Sequence, residues 1–515
     1  IMGVFQNNLM GAAAAAASTG GGDFYSYQIA NSARFDGSAS YLNKTWGSAP
    51  SSTTQVALSV WLKKTFTGDV NPVSIFTAVG NTGSFYFNND DAIADNLAYY
   101  MGGGGVNGYT TNIKYRDPSA WFHFVAIINS AASNDYDRLK IYINGELIAL
   151  NGGEWTQNAG YPNTSTPDAG KNGVANYIGR YGSASRYWSG YMADFIQIDG
   201  AAAISDFGET KNGVWIPKDP SGLTFGNNGF HLNFASSGDM GNDVSGNNND
   251  WTANSISAHD QMLDSPTFNS DSNGGNFATM NPLSNGSNPV LGEGNLMMDS
   301  FSGSDISGSL ANFALPASSG KWYFECFINA PNSGDNYPFI GLTATQYSQS
   351  AAGGVDQRDL SINLGTGGSE KNETYVGSIT TVFTGVSAYA DNTVCGVFVD
   401  MDARKLWYAK DGAFFNSGNP QTGANPQYAW TNNVPLLPHF ISFSGYGADS
   451  VFNFGQEGTF AGNITAGGNA DVTGYGNFKY DPGDYKALCA GNLPVADAVD
   501  PAQTSDAYPS KVFSA

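Results

Sequence analysis

The sequence predicts an all-β chain: two tandem β-sandwiches with an irregular bridge between them and an irregular tail. Three observations carry that expectation. Apolar runs are short, rich in β-branched and aromatic residues, and punctuated by Gly, Asn, Asp and Ser. Charged residues make up only 13% of the 515 residues, whereas 65 are Gly and polarity rests on Asn, Ser, Thr and Tyr; that profile suits turn-rich β-proteins better than helical enzymes. The third observation is a repeated device of aromatic strand, tight turn and return strand. Within 391–415, DNTVCGVFVDMDARKLWYAKDGAFF, the runs Val394–Val399 and Leu406–Ala409 flank the polar break 400–405, and Lys410-Asp411-Gly412 closes the second run. Within 137–148, DRLKIYINGELI, the turn is Asn144-Gly145. Asp-Gly and Asn-Gly are strong hairpin signals because the turn requires positive φ.

Bulk properties narrow the function. A formal net charge of −22 argues against nucleic acid as a partner, because phosphate binding needs clustered Lys and Arg. Three cysteines make no disulfide framework. Cys326 and Cys395 lie in apolar runs and read as small core residues, with a bond between them left open. No stretch is long and apolar enough for a membrane span. The start carries no Lys or Arg before Arg34, so a secretory signal is not expected.

Taken in order, residues 1–23 read as an apolar, Ala- and Gly-rich arm, either a loose leader or an anchor on another subunit. The first sandwich spans 24–253. Its expected strands are 33–35, 55–62, 74–78, 84–87, 98–101, 121–128, 139–143, 177–180 and 191–198, with 206–226 as a packed loop anchored by Trp215. Residues 254–310, rich in Ser, Asn, Gly and Asp, read as a bridge. A second sandwich is expected over 311–457, on the runs 320–328, 339–344, 361–365, 392–415 and 435–455. The remainder, 458–515, reads as an irregular extension.

The first set of motifs is similar to the concanavalin A-like, laminin G-like jelly roll. ARFDGSASYL (33–42), VALSVWLKKT (56–65), WFHFVAIINS (121–130), LKIYINGELI (139–148) and YWSGYMADFIQID (187–199) fall in that family's order. One piece departs from it. By that resemblance, the strand and Asp/Asn/Gly loop that usually open such a domain are expected instead at 230–253, FHLNFASSGDMGNDVSGNNNDWTA, which implies a permuted sandwich with 230–234 beside the closing strand. The second set resembles the SPRY domain: GKWYFE, the I-G strand at 340–341, the apolar strand ending at Asp400 with its Lys-Asp-Gly hairpin, and the closing NFG at 453–455. The whole order, behind MGVFQNNLMGAAA and before YKALCAGNLP, resembles structural proteins of marine bacteriophages. That resemblance implies a virion component of tail-fibre or adsorption type, made in the host cytoplasm without a signal peptide. It would attach to other virion proteins through residues 1–23, form a homo-oligomer such as a trimer, and bind host-surface glycan or protein.

Catalysis is not expected. Glycoside hydrolysis needs paired carboxylates across a cleft. The E-x-D-x-x-E or E-x-D-x-E spacing usual in jelly-roll glucanases is missing, and Glu146, Glu154, Glu209, Glu293, Glu325, Glu370, Glu373 and Glu457 are scattered. His123, His231, His259 and His439 show no metal-ligand spacing and read as structural. For glycan stacking the loop aromatics Trp155, Tyr161, Tyr347, Tyr428 and Trp430 are the candidates, while Trp61, Trp121, Trp322 and Trp407 belong to cores. One cofactor candidate is Ca²⁺, on Asp239, Asp243, Asn247 and Asp250 with Asn242 and Asn249 nearby. Asx-turn chemistry would explain the same residues. The competing readings are a purely structural capsid or tail decoration protein and, more distantly, a glycoside hydrolase.

Overall fold

The computed structural model describes residues 24–67, 73–79, 83–87, 94–101, 107–151, 167–182, 186–285, 291–298, 307–329, 338–344, 360–364, 369–371, 376–381, 388–442 and 449–493. The arm 1–23 and the last residues of the tail lie outside them. The chain divides into two compact units, Tyr25–Pro266 and the portion from Thr267 onward. Both are all-β.

The first unit is a sandwich of two sheets. One runs Glu146–Leu147, Leu139–Ile143, Trp121–Asn129, Gln55–Lys64, Ser189–Ile198, Ser32–Asp36 and Gln261–Met262 in spatial order. The other runs Leu150–Asn151, Asn107–Lys114, Asn96–Met101, Ser84–Phe87, Val73–Ala78, Ala175–Ile178, Tyr41–Thr45 and Thr252–Asn254. Alternation along the strands sets the layers. Val56, Leu58, Val60 and Leu62 enter the core between the sheets, with Phe122, Phe124, Ala126 and Ile128 beside them. Their neighbours Ala57, Trp61, Trp121 and Val125 face the other way, yet they too are buried, under Ile29, Phe207, Phe225 and Met262. Burial on both faces is why Trp121–Asn129 reads as a nearly continuous apolar run.

The permuted closure is present: Phe230–Leu232 pairs antiparallel with Ser189–Ile198, with Phe195 opposite Leu232. A bulge between Ala193 and Ile196, with Asp194 at φ +51°, keeps both Met192 and Phe195 in the core. The 206–226 loop contains a hairpin, Gly208–Lys211 with Val214–Pro217. Both predicted turns have the required backbone: Asn144 and Gly145 sit at φ +49° and +81°, Asp411 and Gly412 at +48° and +78°.

The bridge expected over 254–310 is divided instead. Its first part closes the first unit, because buried Asp260 pairs with Arg34 at 3.0 Å and buried Asp264 with Lys63 at 2.6 Å. A scan for apolar periodicity passes over such a segment, since its anchors are carboxylates. Its later part supplies Met280–Asn285, Leu291–Gly292, Met297–Met298 and Ser307–Ala311 to the sheets of the second unit.

The second unit packs a six-stranded sheet, centred on Leu436–Ser442 and Phe339–Ala344, against a larger one centred on Lys321–Asn329 and Thr393–Asp400. Ile340, Leu342, Phe324, Val397, Leu406 and Phe452 belong to its core. Cys326 and Cys395 oppose each other in register and are buried free thiols. Residues 456–493 wrap this unit and add Lys486–Ala487 as a parallel strand beside Lys321–Asn329.

Candidate functional site

Of the aromatics expected to stack on glycans, the two that are described, Tyr428 and Trp430, are core residues. Tyr428 and Trp430 lie in the strand Tyr428–Trp430 and are buried in the second core. The Tyr428 hydroxyl donates to the Ser361 carbonyl at 2.6 Å. A loop-like composition hid this strand, which pairs with Ile379–Thr381 and Lys405–Lys410. Trp155, Tyr161 and Tyr347 lie outside the described residues. Trp61, Trp121, Trp322 and Trp407 are buried as expected.

The calcium candidates resolve as turn chemistry. The Asp243 carboxylate accepts backbone N–H groups of His231, Ser245 and Asn249 at 2.8–2.9 Å and the Ser245 hydroxyl at 2.8 Å. Asp250 accepts the amide of Asp243, and Asp239 that of Gly241. The Asn247 and Asn249 amides donate to the carbonyls of Gly226, Asn227 and Gly229. In these bonds the carboxylates accept from N–H and hydroxyl groups, the pattern of Asx turns. Among the described residues no group of three or more His, Cys, Asp or Glu is arranged to hold a metal.

A serine–histidine contact lies under the cover of the first sheet. His123 stacks on Trp61 at 4.6 Å and its Nε2 is 2.7 Å from the Ser59 hydroxyl. Trp215 donates its indole N–H to His123 Nδ1 at 2.9 Å. Nδ1 is therefore the acceptor, and the neutral ring carries its proton on Nε2, pointing at Ser59. A ring in that tautomer cannot take the serine proton. Burial also pushes the His123 pKa down to about 3, so the pair is a structural one.

The second unit holds a comparable polar centre. Buried Glu325 accepts from the Tyr323 hydroxyl and the Tyr480 amide on one oxygen, and from the Lys479 amide and the Asn453 side chain on the other, at 2.8–3.2 Å. Burial is the largest influence on it and pushes its pKa up to about 7 against those four donors. Chemically it is a clamp on the wrapped tail.

The outer side of the paired strands Tyr41–Thr45 and Ala175–Ile178 in the second sheet of the first unit is different. Along Tyr41–Thr45 and Ala175–Ile178, Leu42 and Ile178 enter the core while Tyr41, Asn43 and Tyr177 face out, half-buried. Gly179, at φ +78°, interrupts the alternation. A Cβ there would lie 2.7 Å from the Phe35 ring, so only glycine lets the chain pass and bring Arg180 to the side of Tyr177. Arg180 then bridges to Tyr187 across a short hairpin. Its guanidinium lies over Tyr41 at 4.6 Å, Tyr187 at 5.6 Å and Tyr177 at 5.7 Å. Tyr41 is 6.0 Å from Tyr177 and 6.2 Å from Tyr187. On the same hairpin Arg186 lies over Tyr181 at 5.2 Å, and Tyr181 meets Tyr86 edge-on. Asn254 donates to Asn43 at 2.7 Å beside the cluster. Sequence reasoning missed this site because Tyr41 lies far in sequence from the stretch that holds Tyr177, Arg180 and Tyr187. The available signal was YIGRYGSASRYW (177–188), with three tyrosines and two arginines in a chain poor in charge.

No family model matches the chain, and no curated protein matches it. Among solved structures it is similar to the SPRY domain of human HERC1, at 16% identity over 34% of this chain and 96% of that one, TM-score 0.25. A SAP-like pentraxin from Limulus polyphemus is 15% identical over 35% of this chain and 81% of its own, TM-score 0.25. A protein from Bacteroides ovatus described as a candidate carbohydrate-binding protein is 15% identical over 45% of this chain and 60% of its own, TM-score 0.32. With TM-scores this far below 0.5, none of these likenesses bears on function.

Proposed function

We propose that this protein is a non-catalytic binding protein whose first sandwich takes a saccharide on the half-buried face built from Tyr41, Tyr177, Tyr187 and Arg180. The carrying observation is that cluster: three half-buried rings held around one guanidinium on a sheet face that also carries Asn43, Thr45 and Asn254. Aromatic faces offer the apolar side of a sugar ring a rigid platform at low entropic cost, and the phenol, amide and guanidinium groups supply hydrogen bonds. The histidine tautomer at Ser59 supports the absence of chemistry at that pair. The resemblance to marine bacteriophage structural proteins extends the proposal to a homo-oligomeric adsorption protein on a virion, presenting this face to a host surface.

A glycan array probed with the full chain tests the reading. We expect signal on a subset of glycans, lost in a Tyr41→Ala/Tyr177→Ala variant that keeps its fold. An array without signal, or one indifferent to both tyrosines, overturns it and favours a purely structural decoration protein.

A further inference from the structure

We propose that Asn212-Gly213 is a site of spontaneous covalent modification: in the folded protein it deamidates to aspartate and isoaspartate, and the change loosens the hairpin that carries Trp215. The chemistry needs only an Asn-Gly step and water. The Gly213 backbone nitrogen attacks the side-chain carbonyl carbon of Asn212 and gives up its proton to solvent. The new N–Cγ bond closes a succinimide ring, the Cγ–Nδ2 bond breaks, and the amide nitrogen takes a proton from water and leaves as ammonia. Water then opens the ring at either carbonyl. One opening gives aspartate; the other gives isoaspartate, in which the main chain runs through the side chain.

The chain supplies its own comparison. The tetrapeptide Lys-Asn-Gly-Val occurs at 171–174 and again at 211–214, and in both copies the asparagine and the glycine are exposed. Access to water therefore does not separate them. Backbone bonding does. In the first copy Gly173 donates its amide to the Trp46 carbonyl at 2.8 Å, and Val174 donates to Lys171 at 3.1 Å. The nitrogen that would attack is held in a bond that the attack has to break. In the second copy Asn212 and Gly213, at φ +51° and +82°, form the tip of the hairpin Gly208–Lys211 with Val214–Pro217. Among the described residues neither the Gly213 amide nor the Asn212 side chain has a hydrogen-bond partner. Other Asn-Gly steps are tied at the asparagine. The Asn144 side-chain oxygen accepts the His123 amide at 2.8 Å and that of Asn273 the Gly275 amide at 3.0 Å. Asn228 is bonded through both its oxygen and its nitrogen.

The consequence follows from the turn. A two-residue hairpin loop fixes the register of its strands, here setting Thr210 opposite Trp215. Trp215 in turn reaches His123 Nδ1 at 2.9 Å. Isoaspartate lengthens the main chain inside that loop, so the register and the seat of the indole on His123 are lost together.

Incubation of the full chain at mildly alkaline pH, followed by peptide mapping with mass spectrometry, tests the proposal. In the folded protein, conversion at Asn212 should run several-fold faster than at Asn172. In urea the two should run together, because the tetrapeptide is the same. Tryptophan fluorescence should drift as Asn212 converts and stay constant in Asn212→Gly, which suits positive φ and removes the reacting amide. Equal rates at the two sites in the folded chain overturn the proposal. So does an Asn212 that stays intact while the unfolded chain reacts at both. Conversion at Asn212 with unchanged fluorescence overturns the loosening of the hairpin.

Discussion

Glu325 illustrates what a single buried side chain does here. Its two oxygens collect four donors from three places in the chain, two of them adjacent backbone amides of the wrapped tail. Truncation leaves those donors buried without an acceptor. Glu325→Ala should therefore cost about 3 kcal/mol, measured by urea unfolding, and should raise hydrogen exchange first at the Lys479 and Tyr480 amides. His123 is the counterpart in the first unit, neutral by burial and fixed as one tautomer between Trp215 and Ser59. Arg180 is the residue that organises the proposed saccharide face, because one guanidinium lies against three rings.

At the level of elements, short segments without apolar periodicity close both units. The stretch Ser257–Asp264 adds only a two-residue strand to the first sheet. It is latched by Asp264, which accepts from Lys63 at 2.6 Å and from the Trp121 indole at 2.7 Å, both ionic partners being fully buried. Asp264→Asn keeps the shape and leaves the Lys63 charge unpaired, so it should destabilise the first unit by about 3–5 kcal/mol, seen as a lower melting temperature and faster exchange across Ser32–Asp36. The hairpin at Asn144-Gly145 is tied to the covering layer through Trp215, whose ring occupies the space a Gly145 Cβ would need. Gly145→Ala should both strain the turn and push Trp215 off His123. A change in tryptophan fluorescence with a loss of about 2 kcal/mol or more is expected; an unchanged spectrum would show the indole is not held there.

For the whole molecule, the two polar centres give the two units opposite responses to pH. His123 has its folded pKa lowered from 6.5 to about 3. The unfolded chain takes up a proton that the folded one refuses, so this group's contribution is complete above 6.5 and is lost as pH falls toward 3. Glu325 has its folded pKa raised from 4.5 to about 7. There the folded chain keeps a proton that the unfolded one releases, so stability from this group declines as pH rises from 4.5 to 7. Calorimetry across pH 4–8 should show the first unit gaining stability with rising pH while the second loses it. His123→Gln and Glu325→Gln should each flatten the slope of their own unit only. Parallel slopes in both units would contradict the assignment.

Much of this was legible in the chain itself. Runs such as 55–62, 121–128 and 392–415 specify strands because period-two patterning and positive-φ turn residues are local properties, and the strands Ser84–Phe87, Leu139–Ile143 and Phe339–Ala344 appear where they were expected. The order of those runs was enough for two sandwiches and for the return of Phe230–Leu232 beside the closing strand. What lay beyond reach was whatever depends on partners distant in sequence. Whether Tyr428 and Trp430 are platform or core is decided by the strands on either side of them. Whether Asp243 meets a cation or amides is decided by the path of the loop around it. Tyr41, Tyr177 and Tyr187 became a cluster only when two strands paired and Gly179 turned Arg180 among them. Local chemistry writes strands and turns into a sequence; a binding surface is made by the pairing of segments that do not know each other until the chain has folded.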